Sequence, residues 1–163
     1  VELYVKGVDR LRILKAFPEQ RIDVFGGDDG KTSWKKLLKG QSNIVVHQSV
    51  SFEESLKIMQ QSKVVLNSSV KNKLGAHERI FTAAASGAVV VTNDNSLMRE
   101  YFTGGKEMLF YGPGVDHDVA ELLGDELKRI RIAEAGRKKV MQGHTWDHRA
   151  RQLLLDIAQF LVR

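Results

Sequence analysis

The sequence predicts an α/β protein: a Rossmann-like, open parallel six-stranded sheet with helices on both faces and a helical C-terminal tail. Three observations carry that expectation. Short apolar runs alternate with stretches whose apolar residues recur at helical spacing. One run, Ala88-Val-Val-Val91, is aliphatic at successive positions, as in a parallel strand covered on both faces. Beyond residue 115 only helical spacing remains. A chain of 163 residues suits a single domain with a real core, here residues 1–163.

In order along the chain, Val1, Leu3 and Val5 alternate with polar residues, which predicts a first strand over 1–5 ended by Gly7. Asp9 then caps a helix carrying Leu11, Ile13, Leu14 and Phe17, which stops at Pro18. Residues 22–25 read as the second strand, and Gly26-Gly-Asp-Asp-Gly30 as a tight turn. Thr32 or Ser33 caps a short helix with Trp34, Leu37 and Leu38 that closes at Gly40. Residues 43–47 form the third strand. Ser51 and Glu54 have capping-box spacing and open a helix with Leu56, Ile58 and Met59 inside.

Residues 63–67 are the fourth strand. A loop ending at Gly75-Ala76 follows, then about three turns of helix with Ile80, Ala83 and Ala84 at core spacing, as the 3.6-residue period requires. Gly87 stops that helix and the fifth strand begins. A short helix over 95–102 and a sixth strand over 107–111 come next, and Gly112-Pro-Gly114 breaks the chain. Three helices, near 116–123, 125–141 and 147–161, complete it, with Thr145 capping the last. The opening residue is Val1, and the sequence starts directly in a strand-like pattern, which reads as a domain excised from something longer.

Ligands of such sheets sit beyond the carboxyl ends of the strands, near the point where strand order reverses. That rim carries Lys6 and Gly7 after the first strand, Gly27 after the second, and Asn67, Ser68 and Ser69 after the fourth. The Gly26–Gly30 cluster either lets the backbone approach a ligand or is simply a turn. The helix starting after Gly75 either cradles a phosphate at its free N–H groups or is a purely structural crossover. Charge favours the cradle. His77 and Arg79 lie in its first turn and Lys71 and Lys73 just upstream, where a helix start usually prefers carboxylates.

Composition excludes other classes. Zero cysteines rule out disulfides and thiolate metal sites and agree with a reducing, cytoplasmic setting. No run approaches the roughly 20 apolar residues of a membrane span. The net charge of +5 fits an anionic ligand. The basic residues form no dense tract interleaved with aromatics, so nucleic acid is not the expected partner. Neither a dinucleotide fingerprint after the first strand, nor a complete P-loop, nor a Gly-x-Ser-x-Gly elbow is present. His144 and His148 have a metal-compatible spacing, but Thr145 puts a cap between them and no third ligand stands nearby, so no metal is expected. His47 follows a strand and reads either as a ligand contact or as a satisfied polar residue.

The stretch Arg79-Ile-Phe-Thr-Ala-Ala-Ala-Ser-Gly-Ala88 resembles the donor-site motif of GT-B glycosyltransferases, in the group related to spore-maturation glycosyltransferases. That group reads Arg-x-Phe-Glu-Ala-x-Ala-x-Gly-Ala. The similarity continues through Gly105-Lys-Glu-Met-Leu-Phe-Tyr111, Arg131-Ile-Ala-Glu-Ala-Gly-Arg137 and His144-Thr-Trp-Asp-His-Arg149. The resemblance implies the C-terminal half of a two-domain enzyme that transfers sugar from a nucleotide-diphosphate sugar, with the acceptor held by an N-terminal half. It implies metal-independent chemistry and no cofactor. Lys71, Lys73, His77 and Arg79 would face the diphosphate leaving group, and Asn67, Ser68 and Ser69 the nucleotide.

Thr82 stands where the family's ribose-gripping Glu is expected, and Leu74 where the paired Glu would fall. Those two losses motivate an alternative reading, an inert Rossmann-like binding module that kept the fold without donor chemistry. By itself the domain is expected to be inactive. Peripheral membrane association is an open expectation for the full-length protein.

Overall fold

The computed structural model describes residues 2–26, 34–69 and 74–161, the side chains of residues 2–6 and 35 excepted. At its centre lies the strand Val89–Thr92 (β4), buried at all four positions. Val89 and Val91 face one apolar cluster, with Leu109 of the strand Leu109–Phe110 (β5). Ile13 and Phe17 join it from the helix Glu2–Lys15 (α1) and its exit. Val115, Val119 and Leu122 come from Val115–Gly124 (α6), and Ile132 and Ala133 from Glu126–Gly143 (α7).

Val90 faces the opposite cluster. There it meets Ile80, Ala83 and Ala84 of Glu78–Ala85 (α4) and Met98 of Ser96–Tyr101 (α5), with Phe102, Met108 and Val140. The alternation of strand side chains thus explains why helices cover both faces.

Parallel pairing runs β3 (Val64–Leu66) to β4 to β5, with Leu66 beside Val91 and Thr92 beside Phe110. A separate parallel pair joins β1 (Ile22–Phe25) to β2 (Ile44–His47). Between these strands lie α2 (Trp34–Leu37) and α3 (Phe52–Gln61). The α3 capping box forms as expected: the Glu54 N–H donates to Ser51 Oγ at 3.1 Å, and the Ser51 N–H donates to the Glu54 carboxylate at 2.9 Å. Gly87, at φ +92°, ends α4 in the left-handed region that favours glycine. A last helix, α8 (Trp146–Leu161), forms the expected helical tail and buries none of its residues.

Three expectations need correction. Residues 2–5 of the expected first strand are helical, because α1 runs from Glu2 through Gly7 and Asp9 to Lys15. Alternation over five residues is too short to outweigh the helical stripe of Leu11, Ile13, Leu14 and Phe17 that continues from it. Lys6 and Gly7 consequently lie within a helix rather than in a loop at a strand end, and Asp9 caps nothing. The sheet is also not a single six-stranded one: the described residues contain five strands in two sheets. Finally, α4 spans 8 residues, nearer two turns than three.

Gly7 sits inside α1 with nothing within 4 Å of the space a β-carbon would take. Gly7→Ala is therefore expected to stabilise the chain by roughly 0.5–1 kcal/mol. A urea midpoint that stays put or falls would show that α1 is not a continuous helix at that point.

Candidate functional site

Three strands end side by side in a buried polar rim. The Asn67 N–H donates to the Val91 carbonyl at 2.8 Å and the Tyr111 N–H to the Thr92 carbonyl at 2.9 Å, which extends the ladder just past β3 and β5. Asn67, 1% exposed, donates from Nδ2 to Ser69 Oγ at 2.6 Å and to Thr92 Oγ1 at 3.0 Å. The Ser69 N–H donates to Asn93 Oδ1 at 2.6 Å, and Ser68 Oγ donates to the Asp9 carboxylate at 2.6 Å.

The Asp9 contact pins α1 beside the loop that leaves β3. Asn67 Oδ1 and the Tyr111 hydroxyl are buried with no hydrogen-bond partner among the described residues. Burial above all, with the Asp9 carboxylate nearby, holds the Tyr111 phenol neutral.

The segment approaching α4 is tied down from the other side. Asn95 Nδ2 donates to the Gly75 carbonyl at 3.1 Å, while Asn95 Oδ1 accepts from the Met98 N–H to cap α5. His77 is the N-cap of α4: its Nδ1 accepts from the Arg79 N–H at 3.2 Å, so the ring proton is carried on Nε2. Burial and then the charge of Arg79 depress the His77 pKa, with Arg10 contributing. The imidazole is thus neutral near pH 7, and His77 acts as a cap with a free donor rather than as a positive charge.

Arg79 reaches solvent, yet the protein around its guanidinium and the nearby Arg10 guanidinium lower its pKa, with Glu78 opposing them. It remains protonated all the same. Neither Arg79 nor Arg10 has a carboxylate within ion-pair distance among the described residues.

Of the residues singled out from sequence, Asn67, Ser68 and Ser69 gather at the rim. Gly75, His77 and Arg79 gather at the start of α4. Thr82 donates from Oγ1 to the Glu78 carbonyl at 3.2 Å and is engaged within its own helix. Leu74 is 80% exposed. Gly27, Lys71 and Lys73 lie outside the described residues.

Sequence reasoning missed Asp9, Arg10, Asn93, Asn95 and Tyr111. Asn93 and Asn95 follow β4 within three residues, so their place after a strand was a usable signal. Arg10 carried none, since its meeting with α4 depends on the path of α1.

The two histidines near the C-terminus do not form a metal pair. His148 Nδ1 is 2.6 Å from Thr145 Oγ1, and His144 caps α7 among the rings of Phe81, Tyr101 and Phe102. His144 Nδ1 also lies 2.8 Å from the Arg149 guanidinium, which stacks over Tyr101. Among the described residues no group of three His, Cys, Asp or Glu side chains could hold a metal ion.

Burial, followed by Arg149, Lys139 and His148, lowers the His144 pKa. His77 and His144 therefore bind protons more readily unfolded than folded. Stability is expected to fall as pH drops through about 6.5 and to level once the folded-state imidazoles protonate, with no contribution above that window. His144→Phe should make the urea midpoint less pH-dependent between pH 7 and 5. An unchanged dependence would assign the loss to other groups.

Fold and rim together define an α/β domain with buried polar residues at the carboxyl ends of its strands and, at the start of α4, the Arg79 guanidinium close to that of Arg10. The sequence pattern of the "Glycosyl transferase-like" family matches residues 9–155, and the chain belongs to that family. Its fold is that of GT-B glycosyltransferase C-terminal domains. It is similar to the C-terminal domain of a glycosyl transferase group 1 family protein, LpcC from Francisella tularensis, at 19% identity and a TM-score of 0.65, covering 86% of this chain and 80% of that one.

It is similar also to Anabaena HepE, solved in complex with UDP-glucose, at 15% identity and a TM-score of 0.61, covering 80% of this chain and 39% of that one. AviGT4, a glycosyltransferase involved in avilamycin A biosynthesis, matches at 18% identity and a TM-score of 0.51, covering 84% of this chain and 47% of that one. The chain thus spans less than half the length of the latter two. No curated protein sequence matches it. Among the described residues, no helix is long and apolar enough to cross a membrane.

Proposed function

We propose that the chain is the donor-binding domain of a glycosyltransferase, the half that holds a nucleotide-diphosphate sugar while an N-terminal half presents the acceptor. The observation that carries this reading is the pair of guanidiniums, Arg79 on α4 and Arg10 on α1, close enough to repel each other and without carboxylate partners among the described residues. Like charges brought together disfavour each other, and an anion between them reverses that penalty. A diphosphate supplies two phosphoryl groups, one for each guanidinium.

In sugar transfer the bond from the anomeric carbon to the diphosphate oxygen breaks, and negative charge develops on that oxygen. Guanidiniums already in place stabilise it without a metal or a cofactor. Lys71 and Lys73, between the rim and α4 in sequence, add to the same field, and His77 donates from Nε2. Asn67, Ser68 and Ser69 line the nucleotide side.

The two-domain reading draws support from α8. Trp146, Leu153, Leu154, Ile157 and Phe160 are all exposed on it, which suits docking against a further apolar surface. Its charged residues, Asp147, Arg149, Arg151 and Asp156, balance, unlike the basic polar face of a membrane-surface helix.

A nucleoside diphosphate at millimolar concentration is expected to raise the melting temperature. Arg79→Ala should weaken the affinity roughly 10–150-fold, the equivalent of about 1.5–3 kcal/mol for a charge-assisted hydrogen bond. The absence of any thermal shift across uridine, adenosine and guanosine diphosphates would overturn the proposal.

One observation favours a second reading. With Thr82 bonded to its own helix and Leu74 in place of an acid, neither motif position offers a carboxylate for the ribose, as in a module that binds without transferring. Release of nucleoside diphosphate from a sugar nucleotide by the full-length protein decides between the two.

A further inference from the structure

We propose that His144 is an acid-sensitive latch on α8. As a neutral imidazole it accepts from the Arg149 guanidinium and holds the first turn of α8 against α5. As an imidazolium it lets the arginine go and leaves α8 to pivot at the α7–α8 joint. The inference stands independently of the donor-binding reading.

The joint has few parts. α7 ends at His144, whose N–H donates to the Val140 carbonyl at 2.8 Å, and α8 begins two residues later at Trp146. Thr145 and His148 are half-buried, whereas every residue from Arg149 to Leu161 is exposed. α8 is therefore fixed to the body at its first turn, and the rest of it remains open to solvent.

Donor chemistry sets the direction of the central bond. Arg149 Nη2 lies 2.8 Å from His144 Nδ1. A guanidinium has donors and no acceptor, so Nδ1 offers its lone pair and the ring proton sits on Nε2. The same guanidinium lies over the Tyr101 ring, 5.2 Å from its centroid. One arginine thus ties α8 both to the end of α7 and to α5. Among the described residues Arg149 has no carboxylate partner to take over from either contact.

Protonation removes the acceptor. With a proton on Nδ1, two cationic donors face each other at hydrogen-bond distance, and an attraction becomes a repulsion. The ring itself keeps its place. Its centroid is 5.5 Å from that of Phe81, 4.6 Å from that of Tyr101 and 5.5 Å from that of Phe102, and aromatic faces attract a cation. Arg149, which is exposed to water, is the group that leaves.

The surroundings set the working range. Arg149 and His148 act on the ring from α8, Lys139 from α7 and the Tyr101 phenol from α5, while α4 meets it with Phe81. None of these is a carboxylate that would stabilise the imidazolium. Burial first, then Arg149, Lys139 and His148, hold the pKa below its ordinary value. The latch is consequently closed at neutral pH and opens below about 6.5.

Spin-label distances test the latch in a chain that has no cysteine of its own. Arg131→Cys on α7 with Ala158→Cys on α8 reports the pivot, and Arg131→Cys with Lys57→Cys on α3 reports the body. The first pair is expected to give a narrow distance distribution at pH 7 and a broader, shifted one at pH 5, with its midpoint below about 6.5. The second pair should not change. Arg149→Ala is expected to give the broad distribution at both pH values, and His144→Phe one that no longer responds to pH. A first pair insensitive to pH would overturn the inference. So would a response that survives His144→Phe, which would place the sensor at His148, or a change at both pairs alike, which would be unfolding.

Discussion

Ile80→Ala is expected to destabilise the chain by about 2–5 kcal/mol, among the largest single losses available to it. Ile80 is fully buried, with Ala83 and Ala84 beside it on α4 and Val90, Met98, Phe102, Met108 and Val140 in the same cluster. The neighbouring alanines let α4 lie close to β4 and leave little that can collapse into the void, so the cavity penalty should be felt nearly in full.

The consequence extends to the start of α4, because Ile80 lies one residue from Arg79 and its N–H donates to the His77 carbonyl at 3.0 Å. The same variant should therefore also bind nucleoside diphosphate more weakly than wild type at a temperature where both are folded. Urea unfolding measures the first effect and calorimetric titration the second. A loss below 1 kcal/mol would mean that α4 is held by something other than this anchor.

Gly136→Val is expected to cost about 1–3 kcal/mol or more through overpacking. Gly136 lies buried on α7, and a β-carbon there would run into the Glu107 main-chain carbonyl. Main chain cannot rotate away as a side-chain tip can, so α7 or the segment before β5 must move. Alanine is the gentler probe: its helix propensity gains about 1 kcal/mol, and a net loss would show the clash outweighing that gain. A stable Gly136→Val protein with an unshifted denaturation midpoint would refute this packing. The contact also gives a physical reason for a glycine inside the Arg131–Arg137 motif, where composition alone shows only a helix-weakening residue.

What was legible in the sequence was mostly local. The Ser51–Glu54 box, the aliphatic β4, the glycine stop at Gly87 and the Thr145 cap all depend on neighbours within a few residues, and each was placed correctly. The first five residues were misread because alternation that short fits a strand or the start of a helix equally well. That error set Lys6 and Gly7 in a loop after a strand, whereas both lie within α1, and it concealed Arg10, whose approach to Arg79 depends on the path of α1.

Asn67, Ser68 and Ser69 were readable as residues following a strand. Their partners Asp9, Thr92 and Asn93 stand 24 or more positions away and required the fold. His77 stands at the start of α4 as expected, but its ring caps the helix and stays neutral instead of adding positive charge there.

The account rests on Arg10 of α1 and Arg79 of α4 receiving a diphosphate together, and a crystal of the chain soaked with a nucleoside diphosphate tests that most directly. The prediction is phosphoryl oxygens within hydrogen-bond distance of both the Arg79 and Arg10 guanidiniums, with the nucleoside lying along Asn67–Ser69. Nucleotide bound elsewhere, or Arg79 turned into a carboxylate of its own chain, would contradict it.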